Sequence, residues 1–378
     1  MTKVVLIPDS FKGTMSSAEI CDIMRRAILS HYPSAQVISI PVADGGEGSV
    51  DAFLSAVSGE KRVVTVSGPY FEPVESFYGV IDDGKTAVIE MAACAGLPLV
   101  GERRNPMETT TFGVGQLIAH AVESGCRTIV MGLGGSATND VGCGCAAALG
   151  ARFLDKEGKE FVPTGGTLKD VCRIDLSQML PALQGVNIIA MCDIDNPLYG
   201  PSGAAHVFAP QKGADETAVA LLDEGLRHID RVIQADLGLK TAELPGAGAA
   251  GGMGCGMVAF FGARLQMGIE TVLDIVHFDA IAAGADMVFS GEGKIDSQSI
   301  RGKVVIGVAR RTAAAGIPLV AVVGDIGDGA EAAYEKGISA VFSINRVAVP
   351  YKEARPRAKN DLFLTMDNLM RFLKRMGK

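Results

Sequence analysis

Hydrophobic residues in this chain gather in short runs of strand length, at residues 4–8, 36–41, 287–290, 318–323 and 340–344, most of them separated by stretches of helical spacing. That rhythm predicts a parallel sheet with crossover helices, assembled from the two ends of the chain. The first helix should start at Ser16, where Ser16-Ser17-Ala18-Glu19 has the form of a capping box and apolar positions then recur through Ile28. Between the two ends the pattern changes. Residues 62–66, 75–81 and 86–91 alternate like an antiparallel meander, with Asp83-Gly84 as a turn signal. The middle therefore reads as a second α/β domain of mixed sheet inserted into the first, with residues 1–60 plus 280–378 forming one domain and 61–279 the other. Residues 352–378 predict an amphipathic helix packed on the sheet through a stripe that includes Leu362, Leu369 and Phe372, its eight Lys and Arg facing water.

Composition narrows the class. A chain of 378 residues exceeds one ordinary core, and 48% hydrophobic against 21% charged residues supports a globular protein. The formal charge of -8 lacks the basic footprint of a phosphate-backbone binder, so no nucleic acid partner is expected. The apolar stretch near the start is stopped by Pro8 and is too short for an export signal, which points to a cytoplasmic protein. The longest uncharged stretch, residues 245–263, carries seven glycines and is too weakly hydrophobic to span a membrane. Eight cysteines are scattered without a CxxC pair. Cys94, Cys126, Cys172, Cys192 and Cys255 stand in apolar or glycine-rich surroundings and read as small buried thiols, and Cys143-Gly-Cys145 is too little for zinc. Oligomeric state is left open, with room for a homo-oligomer.

Ligands of an open parallel sheet bind outside the carboxyl ends of its strands. The residues there are acids beside glycines: Asp9 to Gly13 with Lys12, then Asp44 to Gly48 with Glu47, then Gly291 to Asp296 with Lys294, then Gly324-Asp325. The middle domain adds Gly134, Gly135, Ser136, Thr138 and Asn139 between a strand-type run and a helical pattern, a turn built to present backbone N–H groups to an anion. It also adds Asp193 and Asp195 after a buried run, two carboxylates at a spacing that suits a hard cation, or an Asx turn before Pro197. Phosphoryl transfer needs backbone donors, a metal, a cation for developing charge and a group to orient the attacking hydroxyl, and these loops offer each. Asp9, Lys12, Asp44, Glu47, Asp193 and Asp296 are the candidates for catalysis, with Asp193, Asp195 and Asp296 for the metal. Lys12, Lys294, Arg301 and Lys303 are the candidates for holding a substrate carboxylate, and Lys294 is also a candidate, with the glycine loops, for binding the nucleotide.

Two formal motif matches carry less than they promise. Residues 79–86 satisfy the phosphate-loop pattern but lie between two strand-type runs, so a hairpin turn fits better. Residues 246–251 match a dinucleotide fingerprint without a convincing strand before them. They read as a flexible or phosphate-facing loop that includes Gly251 and continues to Gly252.

The same loops, PDSFKG at 8–13, ADGGEG at 43–48, GGSATND at 134–140, CDIDNPLYGPSGAA at 192–205, FAPQKGA at 208–214, PGAGAAGG at 245–252 and GEGKID at 291–296, closely resemble the bacterial type I glycerate kinase family, in order and over nearly the whole chain. The resemblance implies a flavodoxin-like parallel-sheet domain, a second α/β domain, and an ATP- and Mg2+-dependent kinase that phosphorylates glycerate, with the 2-phosphate favoured over the 3-phosphate. It assigns no catalytic residue. A kinase of another small hydroxy or sugar acid would use the same loops, and a non-catalytic sensor of a small anion is the reading from another class.

Overall fold

The computed structural model describes all residues except 43–45, 47, 298, 300–302 and 378. The chain forms two compact units: Met1–Ala43 with Ser55–Val57 and Ile269–Lys378, and Asp44–Leu54 with Ser58–Gly268. The expected borders had stood near residues 60 and 280.

The first unit is built on five parallel strands in the order Ile338–Ser343, Leu319–Val323, Met287–Ser290, Lys3–Leu6, Gln36–Ser39. Numbered by their order along the chain, these strands run 2-1-3-4-5 across the sheet, the flavodoxin-like arrangement. Neighbours such as Val4 and Val5, or Val322 and Val323, are both buried, so the inner strands are covered on both faces and read as continuous apolar runs, while the edge strands Gln36–Ser39 and Ile338–Ser343 are only partly covered. The helix Ser17–His31 starts on the expected capping box, with the Ser16 side chain and Glu19 satisfying each other's backbone N–H. It shares a core with the helix Ala358–Arg375, through Ile20, Met24 and Ile28 on one and Leu362, Met366, Leu369 and Met370 on the other. Phe372 is the exception to the expected stripe. It is 59% exposed, because two residues beyond Met370 the helix has turned by about 200° and the side chain faces away from the core.

The second unit holds a six-stranded mixed sheet. Arg264–Gln266, Asn187–Met191, Thr128–Gly132 and Thr86–Glu90 run parallel, and Pro73–Ile81 and Gly59–Ser67 complete it as antiparallel strands. The meander is present, and its third strand also pairs in parallel with Thr128–Gly132. Asp82, Asp83 and Gly84 all take positive φ in the turn between Pro73–Ile81 and Thr86–Glu90, which makes the phosphate-loop match a hairpin.

All eight cysteines are free and seven are buried. Cys172 corrects the expectation: it is exposed, in the loop that leads into the edge strand Arg173–Asp175. No helix among the described residues is long and apolar enough to cross a membrane.

Candidate active site

In the second unit the carboxyl ends of two neighbouring strands deliver two of the loops singled out in the sequence. After Thr128–Gly132 the chain forms the loop at 134–140, which closes on its own last residue. Asp140 is fully buried and accepts hydrogen bonds from the Thr111 N–H and hydroxyl (both 2.8 Å) and from the N–H groups of Gly142 (3.2 Å) and Gly144 (3.3 Å). Burial raises its carboxyl above the ordinary value, and those donors pull the other way. Within the loop the Ser136 hydroxyl accepts from the Thr138 N–H (3.1 Å), and the Thr109 hydroxyl donates to the Ala137 carbonyl (2.8 Å). Asn139 is buried, and neither end of its side-chain amide has a hydrogen-bond partner among the described residues. Buried polar groups are seldom left so unless something else fills the place.

The turn at 245–252 packs directly on this loop. A Cβ on Gly251 would lie 2.0 Å from the Thr138 carbonyl oxygen, and φ there is +69°, so only glycine fits. The Gly251 carbonyl accepts from the Val141 N–H at 3.2 Å. The same turn reaches the loop after Asn187–Met191, where the Gly248 N–H donates to the Asn196 carbonyl (3.0 Å) and the Cys192 thiol lies 3.8 Å from the Gly246 carbonyl. Gly134, Gly135, Ser136, Thr138, Asn139, Gly251 and Gly252 thus belong to adjoining loops. Asp193 and Asp195 are exposed beside them, and Asp193 Oδ1 accepts from the Gly268 N–H at 2.7 Å.

In the first unit, the loops after Lys3–Leu6 and Met287–Ser290 lie side by side, with the Asp9 N–H donating to the Gly291 carbonyl at 2.7 Å. The Gly324 and Asp325 N–H groups donate to the carbonyls of Glu292 and Gly293 (both 3.0 Å), which brings the loop after Leu319–Val323 alongside. Asp9, Lys12, Lys294 and Asp296 are therefore grouped at one sheet edge. Lys294 pairs with Asp296 at 3.6 Å. Glu292, one of the loop acids to which the sequence reading gave no role, is 3% exposed, and burial pushes its carboxyl up to about 7 against the pull of Ser299 and the Lys303 ammonium 3.9 Å away. Asp44, Glu47 and Arg301 lie outside the described residues.

Sequence reasoning also passed over Lys212. Its side chain is 3% exposed, and its Nζ donates to the Thr138 carbonyl (2.6 Å) and the Ser136 hydroxyl (3.3 Å). Burial pushes its ammonium down to about 7, and the Asp140 carboxylate opposes that shift. The signal available was its place in FAPQKGA, between two loops already under suspicion. Glu90, at the end of Thr86–Glu90, is a further buried acid. It accepts from the N–H groups of Gly48 (3.1 Å) and Val50 (2.6 Å) at the start of the helix Ser49–Ala56.

No group of three or more His, Cys, Asp or Glu that could hold a metal ion occurs among the described residues. A magnesium ion bound with a nucleotide needs only one or two carboxylates, since phosphates and water supply the rest. Asp193 and Asp195 fit that donor set, and Asp296 belongs to the other unit.

A flavodoxin-like sheet edge that gathers acids and lysines, with a second unit carrying a glycine-rich loop after a parallel strand, is a framework compatible with an α/β kinase. The comparisons with known proteins name the kind. The glycerate kinase family profile matches residues 4–374, and the chain belongs to that family. It is 45% identical over 368 residues to a glycerate kinase of Bacillus cereus, covering 97% of each chain. It is 44% identical over 343 residues to a glycerate 2-kinase of Escherichia coli, covering 90% of each. A crystal structure from Salmonella typhimurium LT2, provisionally named a glycerate kinase 2, superposes with a TM-score of 0.88 at 40% identity, over 100% of this chain and 99% of that one.

Proposed function

We propose that this kinase transfers the γ-phosphoryl group of ATP to the 2-hydroxyl of D-glycerate, giving ADP and 2-phosphoglycerate. The observation that carries the reading is the loop at 134–140, tied down by Asp140, Lys212 and the Gly251 contact, together with the 2-kinase name of the Escherichia coli relative. In this reading the loop and Gly251-Gly252 take the nucleotide phosphates. Glycerate goes to the edge that carries Asp9 and Lys12, with Asp44 and Glu47 as further candidates. One of those carboxylates accepts the hydroxyl proton as the glycerate oxygen bonds to the γ-phosphorus, while the bond from that phosphorus to the bridging oxygen breaks and ADP leaves. Asp193 and Asp195 would hold magnesium, which would supply neutralisation of phosphate charge.

Glycerate has a secondary hydroxyl beside its carboxylate and a primary one a carbon further out. Reacting atoms must approach to roughly 3 to 3.5 Å, and a displacement of about 1 Å can cost about a hundredfold in rate, so one product should dominate. Enolase accepts 2-phosphoglycerate directly, whereas 3-phosphoglycerate needs a mutase first. A coupled assay with enolase and pyruvate kinase, without mutase, is expected to form pyruvate steadily from glycerate and ATP. Pyruvate that appears only after phosphoglycerate mutase is added would assign the 3-phosphate instead.

A further inference from the structure

Lys212 is buried at the back of the nucleotide loop, and its two hydrogen-bond partners there are neutral. A desolvated ammonium is a poor choice where packing alone is needed, because an apolar side chain of the same length would fill the space without losing hydration. We infer that Lys212 is a positioning residue for phosphoryl transfer: by holding the Thr138 carbonyl and the Ser136 hydroxyl, it fixes the loop whose accessible Gly134–Gly135 stretch meets the nucleotide phosphates. This rests on the reading above that the loop at 134–140 takes those phosphates.

The geometry follows from the planarity of the peptide. No cis bond occurs among the described residues, so the carbonyl of Thr138 and the N–H of Asn139 lie on opposite edges of one plane. With the carbonyl oxygen 2.6 Å from Nζ, the N–H must point away from Lys212. The preceding carbonyl, of Ala137, is held in the same manner by the Thr109 hydroxyl at 2.8 Å. Two successive carbonyls are thus fastened. When protonated, the ammonium also polarises the amide it holds, which strengthens the donor at the other edge. The Asn139 side chain, next along the chain, is buried and unpartnered among the described residues, an unusual arrangement for an amide. The Ser136 hydroxyl reaches the same carbonyl only at 3.5 Å, so Lys212 is the short contact that fixes the sense of that peptide. The segment that delivers Lys212 is itself anchored: Gly213 takes φ +98°, and a Cβ there would lie 2.3 Å from the Arg104 carbonyl.

Lys212→Met keeps the aliphatic length and removes the donor, whereas Lys212→Gln keeps a shorter, uncharged donor. For Lys212→Met, kcat/KM for MgATP is expected to fall about a hundredfold, the scale for one lost oxyanion donor, while KM for glycerate changes less than about twofold. Its melting temperature should stay close to that of the unaltered protein, and Lys212→Gln should recover part of the loss. A folded Lys212→Met with unchanged MgATP kinetics would overturn the inference, as would equal impairment of the Met and Gln variants. If Lys212→Met does not fold, Lys212→Leu, which also lacks the donor, decides by the same split between MgATP and glycerate, and unchanged MgATP kinetics again overturn the inference. Hydrogen exchange separates this from failure of the underlying reading. If MgATP leaves exchange at 134–140 unchanged in the unaltered protein, the loop does not take the nucleotide and both fall. If MgATP slows that exchange while Lys212→Met keeps normal MgATP kinetics, only the role of Lys212 falls.

Discussion

Asp193 shows how a single side chain can be tested without disturbing what surrounds it. Its Oδ1 accepts the Gly268 N–H at 2.7 Å, and an asparagine keeps that acceptor while losing the charge. Asp193→Asn should therefore fold normally and need at least about tenfold more magnesium for half-maximal turnover, if Asp193 is one of the one or two carboxylates that such a site uses. A magnesium titration that superposes on that of the unaltered protein would remove Asp193 from the metal. Residues of this kind were legible because two acids after a buried run stand out. Lys212 was not: a lysine after Pro210-Gln211 looks like any surface charge, and its burial depends on Gly213 seated against Arg104, a contact between segments about a hundred residues apart. Glu292 was hidden in the same way, since its neighbours Asp296 and Lys294 supply the polar signature while burial alone makes it unusual.

At the scale of elements, the pattern of the sequence was most faithful where a strand is covered on both faces or a helix on one. Leu362 and Phe372 separate burial from mere hydrophobicity, because both stand in the helix Ala358–Arg375 and both were assigned to one stripe. Leu362→Ala should cost about 2–5 kcal/mol by denaturant unfolding, as for other fully buried leucines, and Phe372→Ala should stay within about 0.5 kcal/mol. Equal losses would mean that the helix is rotated from the position described. The hairpin at 81–86 was legible for a different reason: the strand-type runs on either side outweighed a letter-for-letter motif. What could not be read was the neighbour of each strand. Lys3–Leu6 pairs with Met287–Ser290 across most of the chain, and no local pattern encodes that partnership.

Across the whole molecule, the assignment of nucleotide to one unit and glycerate to the other makes a spatially resolved prediction. MgATP alone should slow hydrogen exchange at 134–140, 192–203 and 245–252. Glycerate alone should slow it at 8–13 and 291–297. A reversed pattern would exchange the two substrates, and protection by glycerate in the second unit alone would move the acceptor out of the flavodoxin-like sheet.

The flavodoxin-like sheet also has a history during synthesis. Lys3–Leu6 and Gln36–Ser39 leave the ribosome early, yet Met287–Ser290, which covers the other side of Lys3–Leu6, follows about 280 residues after that first strand. At about 5–20 residues per second that is roughly 15 to 55 seconds with one strand edge unpaired. The second unit, whose strands all lie between Gly59 and Gln266, is complete before that edge is covered. Nascent chains stalled before residue 287 should therefore carry a folded, protease-resistant middle and an N-terminal segment open to cleavage or to chaperone capture, and release of the remaining residues should close both.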